Sequence, residues 1–241
     1  MSRAGHAAPA PGYLQPYHDA HQRRAQGAEA LLYPDRRAQF VRLEAIARHC
    51  PLAGLHVLDA GCGRAELLGL LLARGMAPAR YTGLEALPWL ARAARRRRYP
   101  RCTIVEADFV RAPERLRAGA DAVVFSGSLN LLPSRQFYRT LRAAWAATNC
   151  WLAFNYLCSP VEAGDPWLHW HRRRTVVAFL RRSGAHFRVY DGYADGGDCT
   201  VVMRRRRAPP PPLPTAARAP RRAPAAAAPP RAPARRSRAR G

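Results

Sequence analysis

The stretch Val57-Leu58-Asp59-Ala60-Gly61-Cys62-Gly63 constrains this chain more than any other. Apolar residues end in an acid, and two glycines spaced two apart follow. Leu67, Leu68, Leu70, Leu71 and Leu72 come next at helical spacing. The pattern predicts a buried strand, a tight turn and a helix. Glycines in the turn let the backbone approach a ligand where a Cβ would collide. A helix starting there aims unbonded N–H groups at the ligand's polar end. Strand, turn and helix together form the nucleotide-binding half of a Rossmann-like unit.

The nucleotide can be narrowed. A dinucleotide fingerprint needs glycine three residues after Gly63, where this chain has Glu66. A phosphate-cradling loop needs Gly-Lys-Ser/Thr, and the chain contains no lysine. A carboxylate at Asp59 repels a pyrophosphate but suits a ligand carrying an ammonium and a sulfonium. These residues resemble the first motif of class I S-adenosylmethionine-dependent methyltransferases, E/D-x-G-x-G-x-G. Asp59, Gly61 and Gly63 match it, and Ala65 stands in place of the third glycine.

Further segments extend the resemblance. Tyr81-Thr82-Gly83-Leu84-Glu85 reads as a second strand ending in an acid 22 residues after Gly63. A carboxylate there can accept both ribose hydroxyls. Val105-Glu106-Ala107-Asp108-Phe109 is similar to the family's third motif. The resemblance implies that Asp108 accepts from the adenine amino group and that Phe109 packs on the ring. Residues 120–125 read as a fourth buried strand, followed by Ser126-Gly127-Ser128-Leu129-Asn130. The resemblance puts that loop, Ser126 included, beside the transferred methyl. Each acid alone has a plainer reading as a helix cap or turn residue, and Phe109 alone reads equally well as core. The ordered set of acid, Gly-X-Gly, acid and acid is more specific than any member.

The pattern along the chain predicts an α/β fold. Helix 36–49 precedes strand 55–60, helix 64–74, strand 80–85, helix 88–98, strand 101–106 and strand 120–126. Helix 134–147, with Ser134 as N-cap, strand 150–157, helix 167–183 and strands 185–190 and 198–203 follow. The short last connection predicts an antiparallel hairpin. The implied architecture is a doubly wound, mostly parallel seven-stranded sheet with that hairpin at its C-terminal end. Strand order 3-2-1-4-5-7-6 follows from the resemblance, which covers about residues 30–203.

Residues 1–30 are expected to be a flexible segment, with Tyr13, Tyr17, His18 and His21 as candidates for a lid over the cofactor. Residues 31–203 are the expected domain. Residues 204–241 hold 12 arginines and no acid, half of the net charge of +24. That Arg/Pro/Ala tail has too few apolar side chains to offset its ordering entropy, so it is expected to be disordered. It can bind phosphates nonspecifically through counterion release. The six cysteines form no C-x-x-C pair and no metal-ligand spacing. Buried thiols, no secretory signal and no membrane-length apolar run point to a cytoplasmic protein.

The implied reaction is in-line methyl transfer from S-adenosylmethionine to a small molecule, releasing S-adenosylhomocysteine, with no metal. Tyr17, Asn130 and Asn155 are the acceptor-side candidates, and the two asparagines can equally satisfy buried backbone groups. Asp198 can simply begin the last strand. An RNA methyltransferase docking through its tail is the rival reading, although the Asn/Asp-Pro-Pro-Tyr/Phe motif of amino-methylating enzymes is missing after the fourth strand. A non-catalytic binding protein on the same fold is the third.

Overall fold

The computed structural model describes residues 11–160, 164–193 and 197–205. The tail beyond Arg205 and the first ten residues lie outside the described residues.

Two α-helices precede the sheet: α1 (Gln15–Gln22) and α2 (Arg36–His49). Asp35 caps α2 by accepting the Ala38 N–H at 2.7 Å. The repeating unit then runs β1 (His56–Ala60), α3 (Glu66–Ala73), β2 (Arg80–Glu85), α4 (Pro88–Arg96), β3 (Cys102–Glu106), β4 (Ala122–Phe125), α5 (Ser134–Ala147), β5 (Trp151–Leu157), α6 (Arg173–Arg182), β6 (His186–Tyr190) and β7 (Asp198–Arg204). The seven strands lie in the order β3-β2-β1-β4-β5-β7-β6. The first five are parallel, and β7 runs antiparallel to both β5 and β6. The predicted architecture and strand order are both present.

Both faces of the central strands are buried, as in a parallel sheet covered by helices on each side. Leu58, Val123, Phe125, Leu152 and Phe154 pack on one face with Phe137 and Leu141 of α5. Val57, Ala122, Val124 and Ala153 pack on the other with Ile46 of α2 and Leu67, Leu68 and Leu71 of α3. Successive residues of one strand thus serve opposite layers. This alternation places Asp59 on the α2–α3 side at the C-terminal end of β1.

Beyond shifts of one or two residues at other element ends, three features differ from the sequence expectation. Helix 167–183 begins only at Arg173, because neighbouring segments claim the earlier N–H groups. His169 N–H donates to the Asn130 carbonyl at 2.7 Å and His171 N–H to Leu157 at 2.8 Å, and Trp170 forms a bridge with Leu157. The helix after the glycine turn starts at Glu66 instead of residue 64, because Ala65 is left-handed (φ 60°). Ser134 is the first helical residue, and Pro133 occupies the cap position without a side-chain bond.

Candidate functional site

The C-terminal ends of β1, β2 and β4 and the turn after β3 meet at one edge of the sheet, the place where ligands bind in open α/β folds. Asp59 is the penultimate residue of β1 and is 2% exposed. The Tyr81 hydroxyl donates to its Oδ2 at 2.5 Å, while Oδ1 is buried with no partner among the described residues. Burial pushes the Asp59 carboxyl up to about 7 against the Tyr81 bond.

The turn that follows is shaped by its glycines. Gly61 (φ 78°) and Gly63 (φ 58°) are both left-handed, a conformation costly for other residues. A Cβ on Gly61 would stand 2.5 Å from the Ser128 Cβ. Ala65 repeats the left-handed geometry at the place of the family's third glycine, so the backbone path survives the substitution.

Glu85 ends β2 and ties the turn to it. Its Oε2 accepts the Gly63 N–H and its Oε1 the Leu87 N–H, each at 2.9 Å. Burial pushes this carboxyl, too, up to about 7. Two bonds leave lone pairs on both oxygens for further donors. Asp108 accepts the Val110 N–H at 2.9 Å through Oδ1, and Tyr13 donates its hydroxyl to Oδ2 at 2.6 Å. Phe109 is 8% exposed and meets Phe125 edge-on at 5.3 Å.

These residues frame two connected spaces. A cavity of about 60 Å³ is lined by Tyr13, Gly61, Glu85, Asp108, Phe109 and Ser128. A smaller one of about 40 Å³ reaches Asp59, Gly63, Glu66 and Ser126. Beside them opens a third cavity of about 270 Å³, between the start of α2 and the loop after β4; Tyr33, Arg37, Arg42 and Asn130 line it. Tyr17 lines all three, and burial pushes its hydroxyl far above the usual phenol range.

The acceptor-side candidates separate. Asn130 and Tyr17 border the large cavity; Asn130 is 8% exposed, and its Oδ1 has no partner among the described residues. Asn155 lines none of the three. Its Nδ2 donates to Thr200 Oγ1 at 2.6 Å and its Oδ1 accepts the Ser126 hydroxyl at 3.2 Å, so it braces β7 and the loop after β4. Tyr13 reaches the site, whereas His18 and His21 pack on Trp89 of α4 at 5.0 and 4.2 Å. Asp198 is a buried ion-pair partner: Arg42 Nε donates to its Oδ2 at 2.7 Å.

The sequence reading missed Tyr33, Arg37, Arg42 and Glu66, and it placed Ser128 only as part of the loop after β4. Ser128 donates its hydroxyl to the Ala60 carbonyl at 2.6 Å, closing the end of β1 over the turn. Tyr33 donates to the Ser126 carbonyl at 3.3 Å and closes on Gly127, where a Cβ would collide with its hydroxyl. Only the glycine at 127 signalled such a close approach. Among the described residues no group of three or more His, Cys, Asp or Glu is placed to hold a metal, and no helix is long and apolar enough to cross a membrane.

Comparison with known proteins agrees with this geometry. Residues 57–149 match the model of a family described as a methyltransferase domain. The magnesium protoporphyrin IX methyltransferase ChlM from Synechocystis PCC 6803, solved with bound S-adenosylmethionine, superposes with a TM-score of 0.53 at 15% identity, over 84% of this chain and 88% of that one. The mitomycin 7-O-methyltransferase MmcR gives 0.62 at 23% identity, over 84% and 64%. A structure described as the complex between the Haloferax volcanii Trm112 methyltransferase activator and "the putative methyltransferase" gives 0.63 at 14% identity, over 84% and 100%. No curated protein matches the chain by sequence. The fold is that of the class I methyltransferases.

Proposed function

We propose that this protein is an S-adenosylmethionine-dependent methyltransferase acting on a small molecule. The observation that carries the reading is Asp59: a carboxylate oxygen buried without a partner beside a backbone turn that only glycine can line at Gly61. Such an oxygen calls for a cation or a donor, and the ammonium of S-adenosylmethionine provides both.

The remaining residues fit the same ligand. Glu85 retains lone pairs for the ribose hydroxyls, Phe109 offers an apolar wall to the adenine ring, and Asp108 lies at its edge. Gly61 and Gly63 allow close backbone approach, and Ser126 borders the inner cavity. When bound, the cofactor supplies a methyl group already activated on a sulfonium. The protein's share is then alignment and exclusion of water. Tyr17 stands where the cofactor cavities meet the large one, and Asn130 lines the acceptor side. Asn155 positions the Ser126 loop. We place the protein in the cytoplasm and assign the Arg-rich tail at most nonspecific contact with phosphates.

Calorimetric titration of the full-length chain with S-adenosylmethionine, S-adenosylhomocysteine and NADH tests the reading. The expected result is binding of both sulfur ligands with Kd on the order of micromolar, no binding of NADH, and loss of binding in Asp59→Ala and Glu85→Ala variants that remain folded. Absence of binding by either sulfur ligand would replace this reading with a non-catalytic one.

A further inference from the structure

A chain of hydrogen bonds joins the buried ion pair to the loop after β4, and every donor in it points toward Asp198. Arg42 Nε donates to Asp198 Oδ2 at 2.7 Å, and the Tyr193 hydroxyl donates to Oδ1 at 2.6 Å. Burial, and the Asp198 charge beside it, push that hydroxyl far above the usual phenol range, so it keeps its proton. Its hydrogen is committed to the carboxylate. In the contact between Tyr193 and Thr200 the Thr200 hydroxyl is therefore the donor. Thr200 Oγ1 in turn accepts from Asn155 Nδ2 at 2.6 Å, and Asn155 Oδ1 accepts the Ser126 hydroxyl at 3.2 Å. An amide side chain can point either way, and its neighbours fix this one. Nδ2 also faces the Tyr193 oxygen and the Arg42 carbonyl, each at 3.4 Å, and a carbonyl can only accept. Asn155, Thr200 and Asp198 are each 0% exposed, so bulk water does not compete for these bonds.

Ser126 stands where two cavities meet. It lines the inner cavity with Asp59, and the next residue, Gly127, lines the large one; Tyr17 and Tyr33 line both. On the methyltransferase reading above, Asp59 takes the cofactor's ammonium end and the methyl acceptor occupies the large cavity. A methyl passing in line from one to the other crosses at this junction, which puts the sulfonium beside Ser126. The Ser126 hydrogen is already given to Asn155, so toward the cavity its oxygen can only accept. A methyl carried on a sulfonium is polarised and makes C–H···O contacts with such an oxygen. S-adenosylhomocysteine has neither that methyl nor the charge.

We infer that Ser126 reads the charged sulfonium of the cofactor, and that Asp198, acting through Tyr193, Thr200 and Asn155, holds its hydroxyl as an acceptor; the assignment rests on the methyltransferase reading. Asp198, Tyr193, Thr200 and Asn155 are positioning residues. None of them lines the cofactor cavities or the large one, and each acts through Ser126. The buried ion pair thus has a use beyond stability: its carboxylate sets the direction of every bond leading to the site.

The test reads the ratio of two affinities, because S-adenosylmethionine and S-adenosylhomocysteine differ only in the methyl and the charge at sulfur. Each ligand is titrated calorimetrically into the full-length chain and into variants that remain folded. Ser126→Ala should weaken S-adenosylmethionine about fivefold while the Kd of S-adenosylhomocysteine stays within about twofold. Asp198→Ala threatens the fold itself, so Tyr193→Phe and Thr200→Val, which each delete one hydroxyl of the chain, carry the second half of the test. Both should shift the ratio in the same direction, by about threefold. Thr200→Ser keeps the hydroxyl and should restore the wild-type ratio. A merely structural role would weaken both ligands by the same factor. An unchanged ratio in Ser126→Ala, or a shift there that neither Tyr193→Phe nor Thr200→Val reproduces, would overturn the inference and leave the cofactor assignment standing. Wild-type protein that binds no sulfur ligand would overturn both.

Discussion

The Tyr81 hydroxyl donates to Asp59 Oδ2 at 2.5 Å and leaves Oδ1 of the same carboxylate buried without a partner among the described residues. The two residues are 22 apart in sequence and sit on neighbouring parallel strands, Tyr81 opposite Val57 and Gly83 opposite Asp59. One strand thus half-satisfies the acid near the end of the other, a residue that lines the inner cavity.

That arrangement predicts a pH dependence. Burial raises the folded-state value of Asp59 to about 7, above the ordinary aspartate value of about 3.9. Below about pH 4 both folded and unfolded chains keep the proton. Between about 4 and 7 the unfolded chain releases it while the folded chain holds it, so this contribution to stability is lost as pH rises through about 7. Three pKa units correspond to on the order of 4 kcal/mol as an upper bound. Urea unfolding at pH 5 and pH 7.5 should show the wild type losing about 3 kcal/mol more than Asp59→Asn across that interval. Equal losses would mean that Asp59 ionises as an ordinary carboxylate.

Glu85 holds two backbone N–H groups with one carboxylate. Glutamine retains a single acceptor oxygen, so one buried N–H faces an amide donor. The expected cost is about 2 kcal/mol of stability, read as a shift in urea midpoint at pH 7.5. Affinity for S-adenosylhomocysteine should fall at least about tenfold with it.

Arg42 and Asp198 form an ion pair in which Asp198 is 0% exposed. Truncating one partner strands the other charge in the interior, at a cost of about 3–5 kcal/mol. Asp198→Ala should therefore approach the stability limit of a domain this size. The double variant Arg42→Met/Asp198→Leu should recover part of the loss in the same denaturation assay, because it leaves no buried charge. A double variant no better than Asp198→Ala would show that the loss does not come from the stranded charge.

Tyr13 bonds Asp108 across 95 residues, joining the segment before the sheet to the turn after β3. Removing the hydroxyl in Tyr13→Phe deletes a bond worth about 1 kcal/mol with little change in packing. Dissociation of S-adenosylhomocysteine, followed by stopped-flow fluorescence, should quicken about fivefold while the melting temperature stays within about 2 °C. An unchanged off-rate would mean that this contact does not restrain the ligand.

Much of the architecture was readable from neighbouring residues. Asp59, Gly61 and Gly63 announce strand and turn together because backbone geometry there depends on side-chain size. The end of β2 at Glu85 and the turn that carries Asp108 after β3 were visible because apolar runs stop at acids. The start of α6 was not: nothing in residues 167–172 says that Leu157 and Asn130 will take the N–H groups of His171 and His169. Nor did His18 and His21 reveal that they pack on Trp89 of α4.

The sequence by itself determined the alternation of strands and helices, the glycine turn and the acids at the strand ends. These follow from local rules: apolar periodicity, turn chemistry and the φ freedom of glycine. Tertiary structure alone decided that Asp198 is a buried counter-ion for Arg42, 156 residues away, that Asn155 braces the Ser126 loop, and that Tyr33 closes on Gly127. Such pairings are chosen by desolvation and packing between distant segments, where a charge or hydroxyl removed from water takes the partner the fold brings within reach.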